Sequence, residues 1–173
     1  GFFQNLTGFL FRKQAGLRPD STLPVIKTDL QTLNLSEDLL VWFGHSSYLI
    51  QMEGKRLLVD PVFCTAAPVS FVNKPFKGTE VYRPEDMPDI DWAILENGQY
   101  NEGWKYIHLM PGYMAAVARE LKAAKILTVH HSKYALATHP WDEPLKNARR
   151  MRDRDSLPVV IPQIGEVVNM TGH

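Results

Sequence analysis

Three short apolar runs separated by tight turns constrain the fold of this chain more than any other feature. The runs cover residues 39–43, 48–52 and 56–59, and the turns between them read GHSS and EGK. Apolar runs of this length, bounded by turn residues, are typical of buried strands. Gly54 can also take the positive φ that a tight reversal needs. The sequence therefore predicts a β-meander, the usual opening of a β-rich layer.

The second half of the chain adds helices to this pattern. Between residues 113 and 124 the apolar side chains recur at helical spacing. A second helix is expected to begin near Asp142, as N-cap, with Pro144 in its first turn. The predicted elements here are strands at 92–95, 125–130, 158–161 and 166–168 and helices at 113–124 and 142–153. Strands and helices that alternate along the chain predict a mixed α/β (α+β) fold.

Length and composition indicate an ordinary globular protein. The 173 residues suit one domain with an extension, which we divide into an N-terminal arm or helix at 1–38 and a domain at 39–173. Lysine and arginine total 19, as do the acidic residues, so there is no electrostatic case for nucleic acid as a partner. The single cysteine, Cys64, excludes an internal disulfide and fits a reducing, cytoplasmic compartment.

The N-terminal segment is apolar, with Arg12 and Lys13 after the apolar residues. A signal peptide has its charges before the apolar stretch, so this order argues against one. We favour an amphipathic helix that packs on the domain or on a second chain, as in a homo-oligomer. The alternative is a helix that lies on a membrane surface, which would make the protein peripherally membrane-associated.

The histidines do not form a recognisable metal motif. A zinc hydrolase needs at least three ligands around one point, and the chain has no His-x-His cluster and only one cysteine. His130 ends a predicted strand, Asp60 begins an Asp-Pro turn and His45 lies in a turn. Taken one at a time, structural roles suit these three residues better than catalytic ones, and the position of His108 decides nothing.

Several stretches together resemble a known family. Residues 41–50 (VWFGHSSYLI) and 54–63 (GKRLLVDPVF) resemble the start of the metallo-β-lactamase superfamily domain. The branch is the one with N-acyl-phosphatidylethanolamine-hydrolysing phospholipase D, RomA-like and ascorbate-phosphate-lactonase-like proteins. Residues 92–101 (WAILENGQYN) look like a later core strand and loop of this branch. Val129-His130 and residues 139–144 (HPWDEP) are similar to its C-terminal motif, and the stretches follow the family order.

This resemblance implies an αββα sandwich with two zinc ions at one edge of its two sheets, and hydrolysis by a metal-activated water. By position, His130 matches the last histidine ligand of the metal site. Asp60 matches an aspartate that supports the ligands and is therefore a catalytic candidate. His108 matches a cleft histidine that would act in catalysis and substrate binding, and His45 matches a turn beside the substrate. The implied substrate is a phosphodiester, a phospholipid-like molecule or a lactone.

The chain departs from the family at one junction. The signature His-x-His-x-Asp-His should follow a stretch like residues 88–91 (PDID), which here runs directly into residues 92–95, so the sandwich is incomplete. Either a segment near 91–92 is omitted from a zinc hydrolase, or the deletion is real. A real deletion would leave a non-catalytic binding or oligomerisation module, with residues 1–38 in the dimer contact. We favour the omission, because the flanking motifs keep their catalytic-type residues.

Overall fold

The computed structural model describes residues 19–63, 75–98, 100, 110–134 and 138–170. Six strands form one sheet in the order β1-β2-β3-β4-β5-β6. The strands are β1 (Leu39–Gly44), β2 (Ser47–Met52), β3 (Lys55–Val59), β4 (Trp92–Glu96), β5 (Lys125–Val129) and β6 (Val159–Val160). The helices are α1 (Pro111–Leu121) and α2 (Glu143–Asp153), with short 3-10 turns at Leu30–Thr32 and Pro84–Asp86.

The first three strands form the predicted β-meander. β1 pairs with β2 and β2 with β3, both antiparallel. The reversal between β2 and β3 places Glu53 at φ 49° and Gly54 at φ 73°, both in the left-handed region. Such a two-residue turn matches the twist of the strands that it joins. The sequence prediction of this half of the sheet is confirmed.

The last four strands run parallel to one another. α1 lies between β4 and β5 in the chain, and α2 lies between β5 and β6. This arrangement confirms the mixed α/β fold. Within the described residues there is one sheet, which supplies one sheet layer of the sandwich that the resemblance implies.

The core lies on one face of this sheet. A row of apolar side chains runs in register across all six strands: Val41, Leu49, Leu58, Ala93, Ile126 and Val159. α1 contributes Met114 and Ala118 to the same cluster, and α2 contributes Ala148 and Met151. Each fully buried leucine or methionine there stabilises the fold by roughly 1.5–3 kcal/mol. We call this the core face.

The described part of the N-terminal arm also packs on the core face. Leu30, in the first 3-10 turn, is buried in the core cluster. The hydroxyl of Tyr82, another core residue, accepts a hydrogen bond from the Thr28 amide at 3.0 Å. The arm from residue 19 onward therefore approaches the sheet from its helical side.

Two boundaries differ from the sequence prediction. α1 begins at Pro111, because proline is favoured in the first turn of a helix, and it ends where Lys122 turns to φ 50°. The strand predicted at 166–168 is wrong: these residues pair with no strand, and Val167 is 92% exposed. Apolar residues alone do not make a strand, and here β6 ends just before Pro162.

Asp91, which precedes β4, is held by bonds to both neighbouring strands. The Asp91 amide donates to the Arg56 carbonyl at 3.0 Å, and the Asp91 carbonyl accepts from the Lys125 amide at 2.9 Å. Trp92 is then in register with Leu57. The Asp91 carboxylate accepts bonds from the Lys55 ammonium at 3.0 Å and the Arg56 amide at 2.9 Å. Asp91 thus ties the start of β4 to the starts of β3 and β5.

Candidate functional site at the strand ends

The carboxyl ends of β3, β4 and β5 meet at one edge of the sheet. Asp60 follows β3, Glu96 ends β4 and His130 follows β5. Backbone bonds continue the ladder to this edge, from the Asp60 amide to the Ile94 carbonyl at 2.8 Å and from the Asn97 amide to the Val129 carbonyl at 3.0 Å. Open α/β sheets bind their ligands beyond the carboxyl ends of their strands. We call Asp60, Glu96 and His130, with the turn at 44–47, the strand-end edge.

Asp60 is joined to the turn that contains His45. The Ser46 hydroxyl donates a short hydrogen bond to Asp60 Oδ2, and the Ser47 hydroxyl accepts from the Val62 amide at 3.3 Å. These bonds hold the Asp-Pro turn after β3 against the turn between β1 and β2. The imidazole of His45 is exposed beside them.

Three of the four residues singled out from the sequence share an uncommon backbone conformation. His45, Asp60 and His130 have φ values of 51°, 43° and 67°. Left-handed backbone at a residue other than glycine costs of order 1 kcal/mol and tends to cluster where a side chain must be aimed. The fourth residue, His108, lies outside the described residues.

His130 faces a buried carboxylate. Its Nδ1 atom lies 3.7 Å from Glu96 Oε1, and the side chains are 42% and 10% exposed respectively. A carboxylate beside an imidazole fixes the orientation of the ring. The pair therefore offers an accessible imidazole with a buried acidic partner. Glu96 was not singled out from the sequence, because its position next to His130 depends on the parallel pairing of β4 with β5.

The backbone of His130 packs closely against Gly98. A Cβ atom on residue 98 would overlap the His130 carbonyl oxygen and come within 3.1 Å of the His131 Cβ. Only glycine allows the loop after β4 to approach the loop after β5 this closely. Gly98 thereby positions the His130 backbone.

His131 has different partners from His130. Its Nε2 atom lies 3.1 Å from both oxygen atoms of Thr128, and its Nδ1 atom lies 2.7 Å from the Ser132 hydroxyl. Burial lowers the pKa of His131. This ring is therefore bound within the fold, and His130 is the histidine of the pair that lies beside Glu96.

A network around Tyr100 fastens α2 to the loop after β4. The Tyr100 hydroxyl donates to Glu143 Oε1 at 2.9 Å and accepts from the Asn147 amide at 2.8 Å. Its ring stacks on His139 with 4.3 Å between centroids. Burial, and secondarily the Glu143 carboxylate, raises the pKa of Tyr100. The Asn97 side chain adds a bond of 2.8 Å to the Pro144 carbonyl.

His139 completes this network on the outside of the loop. Its Nε2 atom lies 2.9 Å from the Gly98 carbonyl oxygen, and its Nδ1 atom lies 2.9 Å from that of Pro140. In the sequence, residues 139–144 stood out as part of the family resemblance alone. Their contacts with Gly98 and Tyr100 give them a local role, which is to hold the loop that presents Glu96.

The described residues do not by themselves complete a binuclear zinc centre. No three of their histidine, cysteine, aspartate or glutamate side chains converge on a point where a metal ion could bind. Glu96 and His130 make one pair, and the Asp60 carboxylate is engaged by Ser46. His108 and Cys64 lie outside the described ranges. His130 therefore remains a single candidate ligand, and we assign no reaction step to zinc.

The sequence is similar to parts of known proteins. No family model matches the chain. It is 35% identical over 88 residues to N-acyl-phosphatidylethanolamine-hydrolyzing phospholipase D 1 of Caenorhabditis elegans, over 47% of this chain and 24% of that protein. It is 46% identical over 46 residues to outer membrane protein RomA of Klebsiella pneumoniae, over 27% of this chain and 35% of that protein. The chain is thus similar to parts of a phospholipase D and of RomA.

This relationship is partial. The matches span 24% and 35% of the two branch members' own lengths. A Thermotoga maritima structure described as a zinc-dependent hydrolase of the metallo-β-lactamase superfamily has a TM-score of 0.30 and 17% identity, over 62% of this chain and 84% of that one. A likeness at that score supports no detailed comparison. In the described ranges of this chain, no helix combines the length and apolarity that crossing a bilayer requires.

Proposed function

We propose that this chain is a hydrolase-family protein that binds a phosphodiester, phospholipid-like or lactone substrate at the strand-end edge. The observation that carries the proposal is the His130–Glu96 pair, with 3.7 Å between Nδ1 and Oε1, on the strand next to Asp60. The relationship to a phospholipase D supports the hydrolase class and the kind of substrate.

Each residue of the strand-end edge has a separate proposed role. Without zinc, the accessible His130 imidazole binds the phosphoryl or acyl oxygen, and Glu96 holds its orientation; with zinc bound, the same imidazole would be a metal ligand instead. Asp60, fixed by Ser46, holds the turn that presents His45 to the substrate. His108 is proposed as a further substrate-handling residue on the strength of the sequence resemblance alone.

Two zinc ions are part of the site that the resemblance implies. When bound in such a site, zinc supplies an activated water and stabilises negative charge. The described residues offer His130 as a ligand and leave the rest of a ligand set to be supplied by residues outside them. Turnover is therefore expected to depend on added zinc. Substrate binding at the edge is expected to be independent of zinc.

A second candidate is a non-catalytic binding module. It is favoured by one observation, the lack of a three-ligand group among the described residues. Such a module would use the same edge to bind a phosphodiester or lactone without cleaving it. The two candidates share the site and differ in turnover.

A turnover assay separates the two candidates. The full chain is incubated with bis(p-nitrophenyl) phosphate or γ-nonanoic lactone, with and without added zinc, and bound zinc is measured in parallel. The hydrolase proposal expects zinc-dependent release of product that His130→Ala removes and that Glu120→Gln, on the exposed side of α1, leaves unchanged. Binding without turnover, with under ~0.2 zinc per chain, would favour the binding module. Neither binding nor turnover would defeat both.

A further inference from the structure

The imidazole of His139 lies between two hydrogen-bond acceptors. Its Nε2 atom is 2.9 Å from the Gly98 carbonyl oxygen, in the loop after β4, and its Nδ1 atom is 2.9 Å from the Pro140 carbonyl oxygen, just before α2. A backbone carbonyl group accepts hydrogen bonds and cannot donate one. Each ring nitrogen therefore needs a proton of its own to bond with its partner.

A neutral ring at this position can bond with only one of the two carbonyl groups. Neutral imidazole carries one N–H, and its other nitrogen presents a lone pair. At 2.9 Å that lone pair would face a carbonyl oxygen with no proton between the two atoms. The imidazolium has an N–H on both nitrogens and donates to both carbonyl groups, and such charge-assisted bonds are stronger than neutral ones. The geometry around His139 therefore favours the charged ring.

The ring of Tyr100 also favours a positive charge on His139. The two rings stack with 4.3 Å between their centroids and 23° between their planes. A cation within about 6 Å of the face of a tyrosine ring is attracted by the negative charge density of that face. The Tyr100 hydroxyl donates to Glu143 Oε1 at 2.9 Å, so a carboxylate is bonded to the same side chain.

His131 shows the opposite arrangement. Its Nε2 atom lies 3.1 Å from the Thr128 carbonyl oxygen, to which it can donate, and its Nδ1 atom lies 2.7 Å from the Ser132 hydroxyl, which can donate to it. A neutral ring forms both of these bonds, and burial lowers the pKa of His131. The partners of His131 thus suit a neutral ring, whereas those of His139 suit a charged one.

Charged groups on α2 and before it act on the His139 ring in both directions. Glu143 favours a positive charge, while Arg150, whose charge also acts on Tyr100, and the positive N-terminal end of α2 oppose it. Asp142 is paired with Lys146 at 2.7 Å. The two carbonyl groups and the tyrosine ring contact the imidazole directly, so their effect is the larger one.

We propose that His139 is an imidazolium that clamps the loop after β4 onto the start of α2, and that the clamp weakens when the ring loses a proton. This loop follows Glu96 and packs through Gly98 against the His130 backbone. His139 is thus a positioning residue for the strand-end edge; its importance for substrate rests on the proposed function, and the clamp itself does not. The charged ring contributes stability that is present below pH ~6.5, where an ordinary histidine is half protonated, and lost as the pH rises above that value.

NMR of the histidine rings in the isotopically labelled full chain tests the charge directly, and the spectrum of His139→Gln identifies the signals of His139. At pH ~6.5 we expect most molecules to have a proton on both ring nitrogens of His139, and His131 to have a proton on one nitrogen. The amide signals of Gly98 and Tyr100 should shift as His139 loses its proton. A His139 ring that is half protonated or less at pH ~6.5 would overturn the proposal.

Urea denaturation of His139→Gln tests the effect of the clamp on the fold. Glutamine keeps a donor group but does not titrate. The unfolding equilibrium constant of the variant, divided by that of the parent, should be at least about fivefold larger at pH ~5.5 than at pH ~8.5. His45→Gln is the matched control, because it removes an exposed imidazole from a different turn.

The remaining outcomes also decide the proposal. A ratio for His139→Gln that is the same at both pH values would overturn it, and so would an equal pH dependence in the two variants. If His139→Gln does not fold, the ring signals of the parent chain still decide the charge. Neither measurement involves substrate or zinc, so the clamp and the proposed function can fail separately.

Discussion

The Nδ1 atom of His130 lies 3.7 Å from the Oε1 atom of Glu96, across the ends of two neighbouring parallel strands. The carboxylate is nearly buried and the imidazole is accessible, so the pair lies at the boundary between the interior of the protein and solvent. A buried acidic partner of this kind orients a histidine for binding a ligand.

The first prediction concerns this pair. Glu96→Gln removes the charge that holds the His130 ring, and it should weaken binding of bis(p-nitrophenyl) phosphate about tenfold, at the lower end of the usual effect of an orienting partner. Isothermal titration calorimetry measures the change, with Glu120→Gln as the control for loss of one negative charge. Equal affinity in the two variants would show that Glu96 has no part in the site.

The second prediction concerns the close approach of Gly98 to His130. Gly98→Ala would force the loop after β4 away from the His130 carbonyl, and it should lower the free energy of unfolding by about 1–3 kcal/mol. Gly112→Ala in the first turn of α1 is the matched control, because its new Cβ meets nothing within 4 Å. Urea denaturation should find the control as stable as the parent or slightly more stable. Two variants of equal stability would contradict the packing of the two loops.

The third prediction concerns Tyr100 at alkaline pH. The folded state raises the pKa of Tyr100, so its neutral phenol contributes stability that is present below the ordinary pKa of 10.0 and is lost as the pH rises above it. Tyr100→Phe should cost about 1 kcal/mol near neutral pH, where the bonds to Glu143 and Asn147 are lost. The difference in the free energy of unfolding between parent and variant should decrease above pH ~10.

Denaturation at several pH values between ~8 and ~11 measures this narrowing. Tyr113→Phe is the control, because the Tyr113 side chain is 68% exposed on α1. The buried network would be contradicted if the difference in free energy of unfolding between parent and Tyr100→Phe stayed constant over this range. It would also be contradicted if Tyr113→Phe showed the same pH-dependent difference.

The fourth prediction concerns the bond between Ser46 and Asp60. Ser46→Ala removes the hydroxyl that donates to the Asp60 carboxylate and should lower stability by about 1 kcal/mol. Asp60→Asn should cost less than Asp60→Ala, because asparagine keeps an acceptor and tolerates the φ of 43°. Urea denaturation ranks the variants, and Ser36→Ala in an exposed turn should change stability by under ~0.5 kcal/mol. Equal losses in the two Asp60 variants would contradict this role.

The local pattern of the sequence predicts much of this fold. The meander follows from three apolar runs and two turns, α1 from helical periodicity, and α2 from Asp142 and Pro144 at its first turn. These features depend on contacts close in sequence. The strand predicted at 166–168 failed because an apolar triplet becomes a strand only where a neighbouring strand can pair with it.

The site is harder to predict, because it depends on which strands become neighbours. His130, Asp60 and His45 stood out by resemblance, but Glu96 gained its role only when β4 paired in parallel with β5. The network of Tyr100 with Glu143 and Asn147 likewise joins residues that lie more than forty positions apart. No local pattern in the chain signals either relationship.

A titration of the isotopically labelled full chain with bis(p-nitrophenyl) phosphate, followed by NMR, tests the strand-end edge most directly. We predict saturable shifts at Asp60, Glu96 and His130 at probe concentrations below about 10 mM, with smaller shifts elsewhere. In Glu96→Gln, the shifts at Asp60 and His130 should need about tenfold more probe to reach the same extent. Shifts confined to residues away from this edge, or no saturation, would contradict the assignment of the substrate site to it.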